Sequence, residues 1–304
     1  MDIRQLNALL AVAEHGGFSA AAEALHTVQS NVSAHVARLE KELRVMLVDR
    51  QAGRLTLEGT IVAGRAQRVR GELDGVVADL AALHHEILGT TRLGMIGSTA
   101  RWLVPRLLRA VRVRHPGVHL VVVDATSASL EPRLLSGTLD LAVVNLPVPG
   151  RDLSSEPLFS EDLVLVVPAG HPLTQRARVE VADLAGVELL IPPTGTAYRA
   201  ELDAAAAAAG IILRPLAEVD GVRLIATMAT EGHGPAIVPA TAVPAPEPAA
   251  GWDTIVVRGL PRRRVGVAQR RRGLPAAPAR AVLELLHEVT AAATDLTGLH
   301  PSAR

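Results

Sequence analysis

Between residues 27 and 54 lies a set of side chains suited to reading nucleic acid. Thr27, Gln29, Ser30, Asn31, Ser33, Arg38 and Lys41 supply hydroxyls, amides and cations, and Arg50 and Arg54 follow. Amides and hydroxyls near a helix start can bond base edges in the major groove, while Arg and Lys meet phosphates. Gln29 is the leading base-reading candidate. This chemistry needs a rod to carry it. Val32, Val36, Leu39 and Leu43 recur at helical steps, so one stripe of a helix is buried. The opposite face then presents Ser30, Asn31, Ala34, Ala37, Arg38 and Lys41, with Gln29 and Ser33 at its flank. Ser30 or a neighbour is expected to cap this helix. A shorter alanine-rich helix over residues 20–25 precedes it, and His26, Thr27 and Val28 break the pattern. Arg50 and Arg54 flank a two-strand wing that turns at Gln51, Ala52 and Gly53. The pattern alone fits equally the solvated face of an ordinary helical hairpin.

Charge and composition narrow the setting. The chain has 304 residues, enough for about two domains. Its apolar content of 49% suffices for buried cores. There are no cysteines, which excludes disulfides and thiolate metal or redox sites. No signal sequence and no apolar run of spanning length are visible, so a cytoplasmic protein without membrane partners is expected. Formal net charge is +0, and residues 1–60 carry one more acid than base. A nucleic-acid domain usually shows a positive excess. Phosphate affinity per head is therefore modest, and two heads must act together.

The run Phe18-Ser19-Ala20-Ala21-Ala22, Leu25, Gln29, Ser33, Leu39-Glu40, Leu43, Leu47, Arg50, Leu55-Thr56 and Gly59 resembles the N-terminal signature of LysR-type transcriptional regulators. Four departures stand out: Arg44 where the family usually has Gly, Val48 for Phe, Asn31 where Pro often follows, and Ala34 for a long polar side chain. The resemblance implies an α+β multidomain chain. It would have a winged helix-turn-helix head (residues 1–58), a long linker and dimerisation helix (59–89) and a two-lobed α/β effector domain like the periplasmic binding proteins (90–304). Lobe I would take residues from about 90–160 and 265–290, and lobe II about 161–264. Operator DNA would meet Thr27, Gln29, Ser30, Asn31, Ser33, Ala34 and Arg38, with Arg50 and Arg54 at phosphates. The implied partners are double-stranded DNA, a second copy in a homodimer or homotetramer, a small-molecule effector, and RNA polymerase as a further candidate.

The remaining chain carries its own signals. Val62, Ala66, Val69, Leu73, Val76, Leu80 and Leu83 alternate at steps of four and three, the seam of a coiled coil. Gly64, Gly71 and Gly75 weaken such a helix unless a partner packs on it. Beyond Gly89, strands are expected near residues 92–96, 119–123, 139–144, 163–167, 187–191, 236–238, 254–257 and 265–268. Helices such as 100–114 and 279–289 separate them, giving a parallel sheet in each lobe. Ligands in such folds bind beyond the carboxyl ends of strands. Ser98, Thr99, Thr126, Ser127, Thr194 and Thr196 fall there, forming as a cluster an anion-friendly wall for an effector, although any one of them alone reads rather as a helix cap. The runs Leu139-Asp140-Leu141-Ala142, His171-Pro172-Leu173 and Gly232-His233-Gly234 reinforce the resemblance.

Two other classes compete with an effector-controlled regulator. An enzyme finds little support: Pro116 and Gly117 spoil the helical spacing of His115 and His119, and no phosphate loop or nucleophile elbow appears. No catalytic residue, metal or resident cofactor is therefore expected. An architectural DNA binder has no need of about 200 residues of α/β cleft. The Arg262–Arg264 and Arg270–Arg272 runs are expected at solvated strand ends or an oligomer contact rather than on DNA. Pro244 to Pro248 is expected as a stiff exposed loop.

Overall fold

A computed structural model describes residues 1–244 and 251–302. The chain opens with α1 (Ile3–His15), whose start is a reciprocal cap: the Asp2 side chain accepts the Gln5 N–H while Gln5 accepts that of Asp2. Helices α2 (Phe18–Ala24) and α3 (Gln29–Leu43) follow, then a wing of β1 (Val48–Asp49) and β2 (Arg54–Leu55). Leu6, Leu9, Val12, Ala21, Val32, Val36 and Leu39 close one core among the three helices. Their i, i+3, i+4 spacing is what buries one stripe per helix.

Helix α4 (Leu57–Leu83) leaves the head as a single rod, capped by Thr56, whose hydroxyl accepts the Gly59 N–H. Of the seven seam residues, Ala66 is buried and Val62 half-buried in the head's own core. The remaining five stand exposed, from 43% at Val69 and Leu73 to 75% at Leu83. The small residues of α4 pack elsewhere. Gly75 faces Ala276, and a Cβ added there would lie 3.5 Å from that methyl group. Gly64, whose added Cβ would lie 3.9 Å from Ser136, and Gly75 therefore sit where the linker approaches lobe I, whereas Gly71 has no neighbour within 4 Å.

Lobe I holds β3 (Gly89–Met95), α5 (Gly97–Arg114), β4 (Val118–Asp124), α6 (Ser127–Ser136), β5 (Leu141–Asn145) and β6 (Leu153–Glu161). Lobe II holds β7 (Leu163–Pro168), β8 (Val179–Glu180), β9 (Glu188–Ile191), α7 (Ala197–Ala208), β10 (Arg214–Glu218), α8 (Val222–Thr230), β11 (Ala236–Pro239) and β12 (Trp252–Arg258). The chain returns to lobe I through β13 (Arg263–Arg270), α9 (Ala277–Ala291) and β14 (Leu299–Pro301).

Neither sheet is purely parallel, which corrects the sequence expectation. The orders are β14-β6-β13-β5-β3-β4 and β10-β9-β11-β7-β12-β8. In lobe I, β3 runs parallel to β4 and β5, while β13 opposes β5 and β6. In lobe II, β9 runs parallel to β10 and β11, while β7 opposes β11 and β12. The cause is the double crossing between lobes. Val265, early in β13, pairs with Asn145 at the end of β5, and Leu163, opening β7, pairs with Pro239 at the end of β11. A strand arriving from the other lobe enters each sheet at the carboxyl ends of its parallel strands and must run against them. Those ends therefore converge on the crossing. Trp102 packs edge-on to Phe159, with ring centroids 5.4 Å apart, inside the lobe I core. Lobe II buries both faces of its sheet, one under α7 and one under α8.

Candidate nucleic-acid interface and effector cleft

Helix α3 begins at Gln29, one residue before the expected cap, and Val28 takes the cap position without a side-chain bond. Thr27 compensates locally, its hydroxyl accepting the Asn31 side-chain N–H at 3.0 Å. Ser30, Asn31, Ala34 and Arg38 are exposed along one face, as the wheel requires, and Gln29 is exposed at its N-terminal flank. Arg38 lies 3.0 Å from the His35 ring nitrogen. Arg54 is exposed at the wing. The wing turn is set by Asp49, whose carboxylate accepts the Gln51 and Ala52 N–H groups, both at 3.0 Å. Those two bonds hold its carboxyl below the usual range.

Arg50 and Ser33 also make contacts within the head. Arg50 donates to the Ser33 hydroxyl and to Glu40, both at 3.2 Å, and its guanidinium lies over the Phe18 ring at 5.3 Å. Arg50 thus braces α2, α3 and the wing while its side chain stays 44% exposed, and Ser33 is half-buried beside it. The organising group is Glu40. Its buried carboxylate also accepts the backbone N–H of Leu47 and Val48, at 2.8 and 3.2 Å. A buried carboxylate with three donors is well satisfied. The sequence offered only a hint of it: Glu40 lies next to Leu39 on the buried stripe.

At the lobe junction the polar residues are gathered by two that sequence reasoning missed, Glu161 and Arg263. Glu161 ends β6 and Arg263 begins β13, so both crossing strands deliver a charge to the same point. The Arg263 guanidinium pairs with Glu161, donates to the Ser98 hydroxyl at 2.9 Å and approaches Thr99 at 3.5 Å. The other Glu161 oxygen accepts from the Thr241 hydroxyl at 2.6 Å and its N–H at 3.2 Å. All five residues are buried. Ser98 and Thr99 therefore face a protein cation instead of forming an open wall. Tyr198 stands close by and donates its hydroxyl to the Ile237 carbonyl at 3.1 Å. Burial pushes its phenol far above the ordinary range, the Arg263 charge opposing and those of Glu161 and Glu201 adding to the rise.

The other four expected effector residues are dispersed. Thr126 caps α6 and Thr196 caps α7, accepting the N–H of Ser129 and Arg199 respectively. Ser127 accepts the Asn145 N–H at 3.1 Å, which ties α6 to the end of β5. Thr194 is exposed in the loop before α7. Local capping accounts for Thr126 and Thr196, as the single-residue reading allowed. Two contacts also cross between lobes. Arg223 of α8 pairs with Asp124 at the end of β4 at 2.8 Å, and Arg101 of α5 donates to the Val243 carbonyl at 3.3 Å. The Asp124 carboxylate also sits beside the N-terminal turn of α5, 2.8 Å from where a Gly97 Cβ would be.

The arginine runs are not merely solvated strand ends. Arg263 forms the buried pair, Arg262 pairs with Asp162, Arg270 donates to the Leu134 and Leu139 carbonyls, and Arg271 to that of Leu153. The expected loop from Pro244 to Pro248 falls, from Ala245 onward, outside the described residues. Among the described residues no helix is long and apolar enough to cross a membrane.

Residues 3–60 match the family model of the bacterial regulatory helix-turn-helix protein, lysR family, and residues 84–291 match that of the LysR substrate binding domain. The chain is 30% identical over 302 residues to the DNA-binding transcriptional dual regulator OxyR of Escherichia coli, covering 97% of this chain and 96% of that protein. It is 36% identical over 199 residues to a probable hydrogen peroxide-inducible genes activator of Mycobacterium leprae, covering 65% and 64%. Full-length OxyR of Pseudomonas aeruginosa, solved as a cysteine-to-aspartate variant, superposes with a TM-score of 0.79 at 24% identity over 100% and 99% of the two chains. Full-length CbnR in complex with its target DNA superposes with a TM-score of 0.69 at 26% identity over 95% and 100%. The chain belongs to the LysR family of transcriptional regulators, a family of DNA-binding regulators rather than enzymes, and has its helix-turn-helix head and two-lobed effector domain.

Proposed function

We propose that this regulator reads an operator through the exposed face of α3, works as a dimer or tetramer joined along α4, and is switched by a small anion acting between the lobes. The observation that carries the operator reading is the sidedness of α3. Val32, Val36 and Leu39 are buried while Ser30, Asn31, Ala34 and Arg38 are exposed on the opposite face, with Gln29 exposed at its N-terminal flank. Gln29→Ala should weaken binding at the cognate site by about 1–3 kcal/mol and relax base choice. Arg54→Ala should weaken matched and scrambled duplexes alike, with a shallower salt dependence. Mobility shifts on both duplexes separate the two. Equal losses on both for the Gln29 variant would refute direct readout. Five exposed apolar seam residues on α4 support pairing through that helix, since a stripe of this kind is stable in water when another helix covers it.

An anionic effector is favoured by what already occupies the cleft. Asp124 sits between the α5 N-terminal turn and Arg223, so a carboxylate is held there by the protein itself. An incoming anion would take that place and alter the contact between lobes. It can shift the balance only through its differential affinity for the two arrangements. Several relatives are named for hydrogen peroxide induction. This chain has no cysteine, so thiol oxidation is chemically closed to it. The expected result is a DNase footprint unchanged by hydrogen peroxide. Asp124→Asn should strengthen the binding of sulfate and small carboxylates, read as a larger rise in melting temperature than in wild type. No difference between the two proteins would remove the anion reading, while leaving operator recognition standing.

A further inference from the structure

The two crossings between lobes do not stand alone, because a third strand lies beside them. β6 and β13, which carry the crossings, are neighbours in the lobe I sheet, and β14 lies against the other edge of β6. Leu299, His300 and Pro301 pair antiparallel with Glu161, Ser160 and Phe159, so β14 starts at the crossing end of β6. Leu299 is buried in the lobe I core, which fixes the strand to that lobe. Gly298, just before it, reaches the other lobe. The chain turns there at φ 77°, in the left-handed region that glycine tolerates, and an added Cβ would lie 2.8 Å from the Ala240 methyl group of lobe II. The segment is therefore anchored in one lobe and pressed against the other.

Asp162 gathers these pieces. It is the single residue between β6 and β7, and each of its polar groups is engaged. Its N–H donates to the Gly298 carbonyl at 2.8 Å, and its carbonyl accepts the Ala240 N–H at 2.9 Å. Its carboxylate accepts from Arg262, in the second crossing, at 2.8 Å and from the His300 ring at 3.1 Å. One residue thus joins both crossings, lobe II and the β14 segment. Ala240 moves with lobe II and Gly298 with lobe I, so a change in the angle between lobes shears one against the other. The bond that clasps them is releasable. The His300 and Asp162 side chains are 39% and 27% exposed, and a partly exposed pair opens at far less cost than the buried Glu161 and Arg263 pair beside it. We propose that Gly298 and β14 form a strap across the hinge, clasped by His300 on Asp162, which holds the lobes at this angle and must loosen before they can move. Resistance to lobe movement would then reside outside the ligand cleft, and a ligand's differential affinity for two lobe angles would have to exceed it. The competing reading is that β14 only covers the edge of β6, with its contacts to Asp162 and Ala240 incidental.

Hydrogen exchange of the full-length protein, followed by mass spectrometry without DNA or ligand, separates the two. The Ala240 and Thr241 amides report on the hinge, because they bond the Asp162 carbonyl and the Glu161 carboxylate. His300→Ala removes the clasp and leaves the Arg262 bond in place. Gly298→Ala drives a methyl group against Ala240 and strains the backbone, whereas His300→Ala leaves the backbone alone, so the two variants share only the loosened hinge. In both, peptides spanning residues 240–244 should exchange about five- to tenfold faster than in wild type, while β3 and β9 in the two lobes keep their wild-type rates. His300→Gln, which can still donate to the Asp162 carboxylate, should exchange close to wild type. Faster exchange confined to β6 and β14, with residues 240–244 unchanged in both alanine variants, would make β14 a plain edge strand and overturn the strap. Equal acceleration throughout both lobes would overturn it too, since the variants would then have lowered global stability. No ligand enters the measurement, so its failure would leave the anion reading of the Asp124 site as it stands.

Discussion

In the head, Gln29, Ser30 and Asn31 stand exposed, Asn31 bonded only to the exposed Thr27 hydroxyl, and apolar residues behind them carry the folding energy. At the lobe junction the arrangement is reversed: Ser98, Thr99, Glu161, Thr241 and Arg263 are buried and bonded to one another. The difference separates two ways of presenting polar chemistry. A face meant for a large, invariant polyanion can be left open to water, because exposed amides lose little there. Polar groups at a moving junction must be satisfied internally whenever no ligand is present, since an unpaired buried charge is strongly unfavourable. Removing one side chain should therefore have opposite consequences in the two regions, affecting DNA affinity in one and the folded state in the other.

The largest effect is expected at Glu161. Glu161→Ala leaves Arg263 buried without its counter-charge and should destabilise by about 3–5 kcal/mol in urea unfolding. The double variant Glu161→Met with Arg263→Leu should recover much of that loss, because an apolar pair of similar volume no longer carries an uncompensated charge. Gln29→Ala, measured the same way, should stay within about 0.5 kcal/mol of wild type. A loss below ~1 kcal/mol for Glu161→Ala would dissolve the contrast. Next in size is Gly59, where the first turn of α4 rests against Leu47, the residue before β1. A Cβ there would lie 1.9 Å from the Leu47 carbonyl oxygen, with backbone on both sides of the clash. Gly59→Ala should therefore destabilise by about 1–3 kcal/mol and shift the wing, weakening DNA binding on matched and scrambled duplexes alike. Retained stability and affinity would show that α4 can move relative to the head.

The same contrast explains what was legible in the sequence. The α3 face could be read because its periodicity is local: Val32, Val36 and Leu39 declare the buried side, and the polar side follows. Helix α1 carried an equally local signal in the Asp2 and Gln5 box and was overlooked. The cleft could not be read in this way. Glu161 and Arg263 are 102 residues apart and meet only because the chain crosses between lobes twice. Arg263 was further hidden inside a run of three arginines whose other members face solvent. The expectation of parallel sheets failed for the same reason, since strand direction in β7 and β13 is set by the crossing and not by apolar pattern. Arg50 shows the limit in the head itself. Its bond to Glu40, ten residues back on the buried stripe, could not be read from the sequence, although its side chain keeps 44% exposure.

The smallest effect concerns the turn that joins α3 to the wing. Arg44 ends α3 in the left-handed conformation, at φ 57° and ψ 33°, and its N–H bonds the Glu40 carbonyl. A residue with a Cβ is strained there by roughly 1–2 kcal/mol, whereas glycine is not. Arg44→Gly also removes a cation near a helix C-terminus, worth about 0.3–1 kcal/mol, so the comparison that isolates the backbone is with Arg44→Ala. Both variants lose the charge, and only the glycine variant relieves the strain. Set against glycine's greater freedom in the unfolded chain, Arg44→Gly should be more stable than Arg44→Ala by about 1 kcal/mol, measured as the difference in urea midpoints. Equal stability would mean that the turn relaxes to another conformation in solution. The wing would then be held by the Glu40 contacts to Leu47 and Val48 rather than by the helix end, and Glu40→Gln would become the more damaging change in the head.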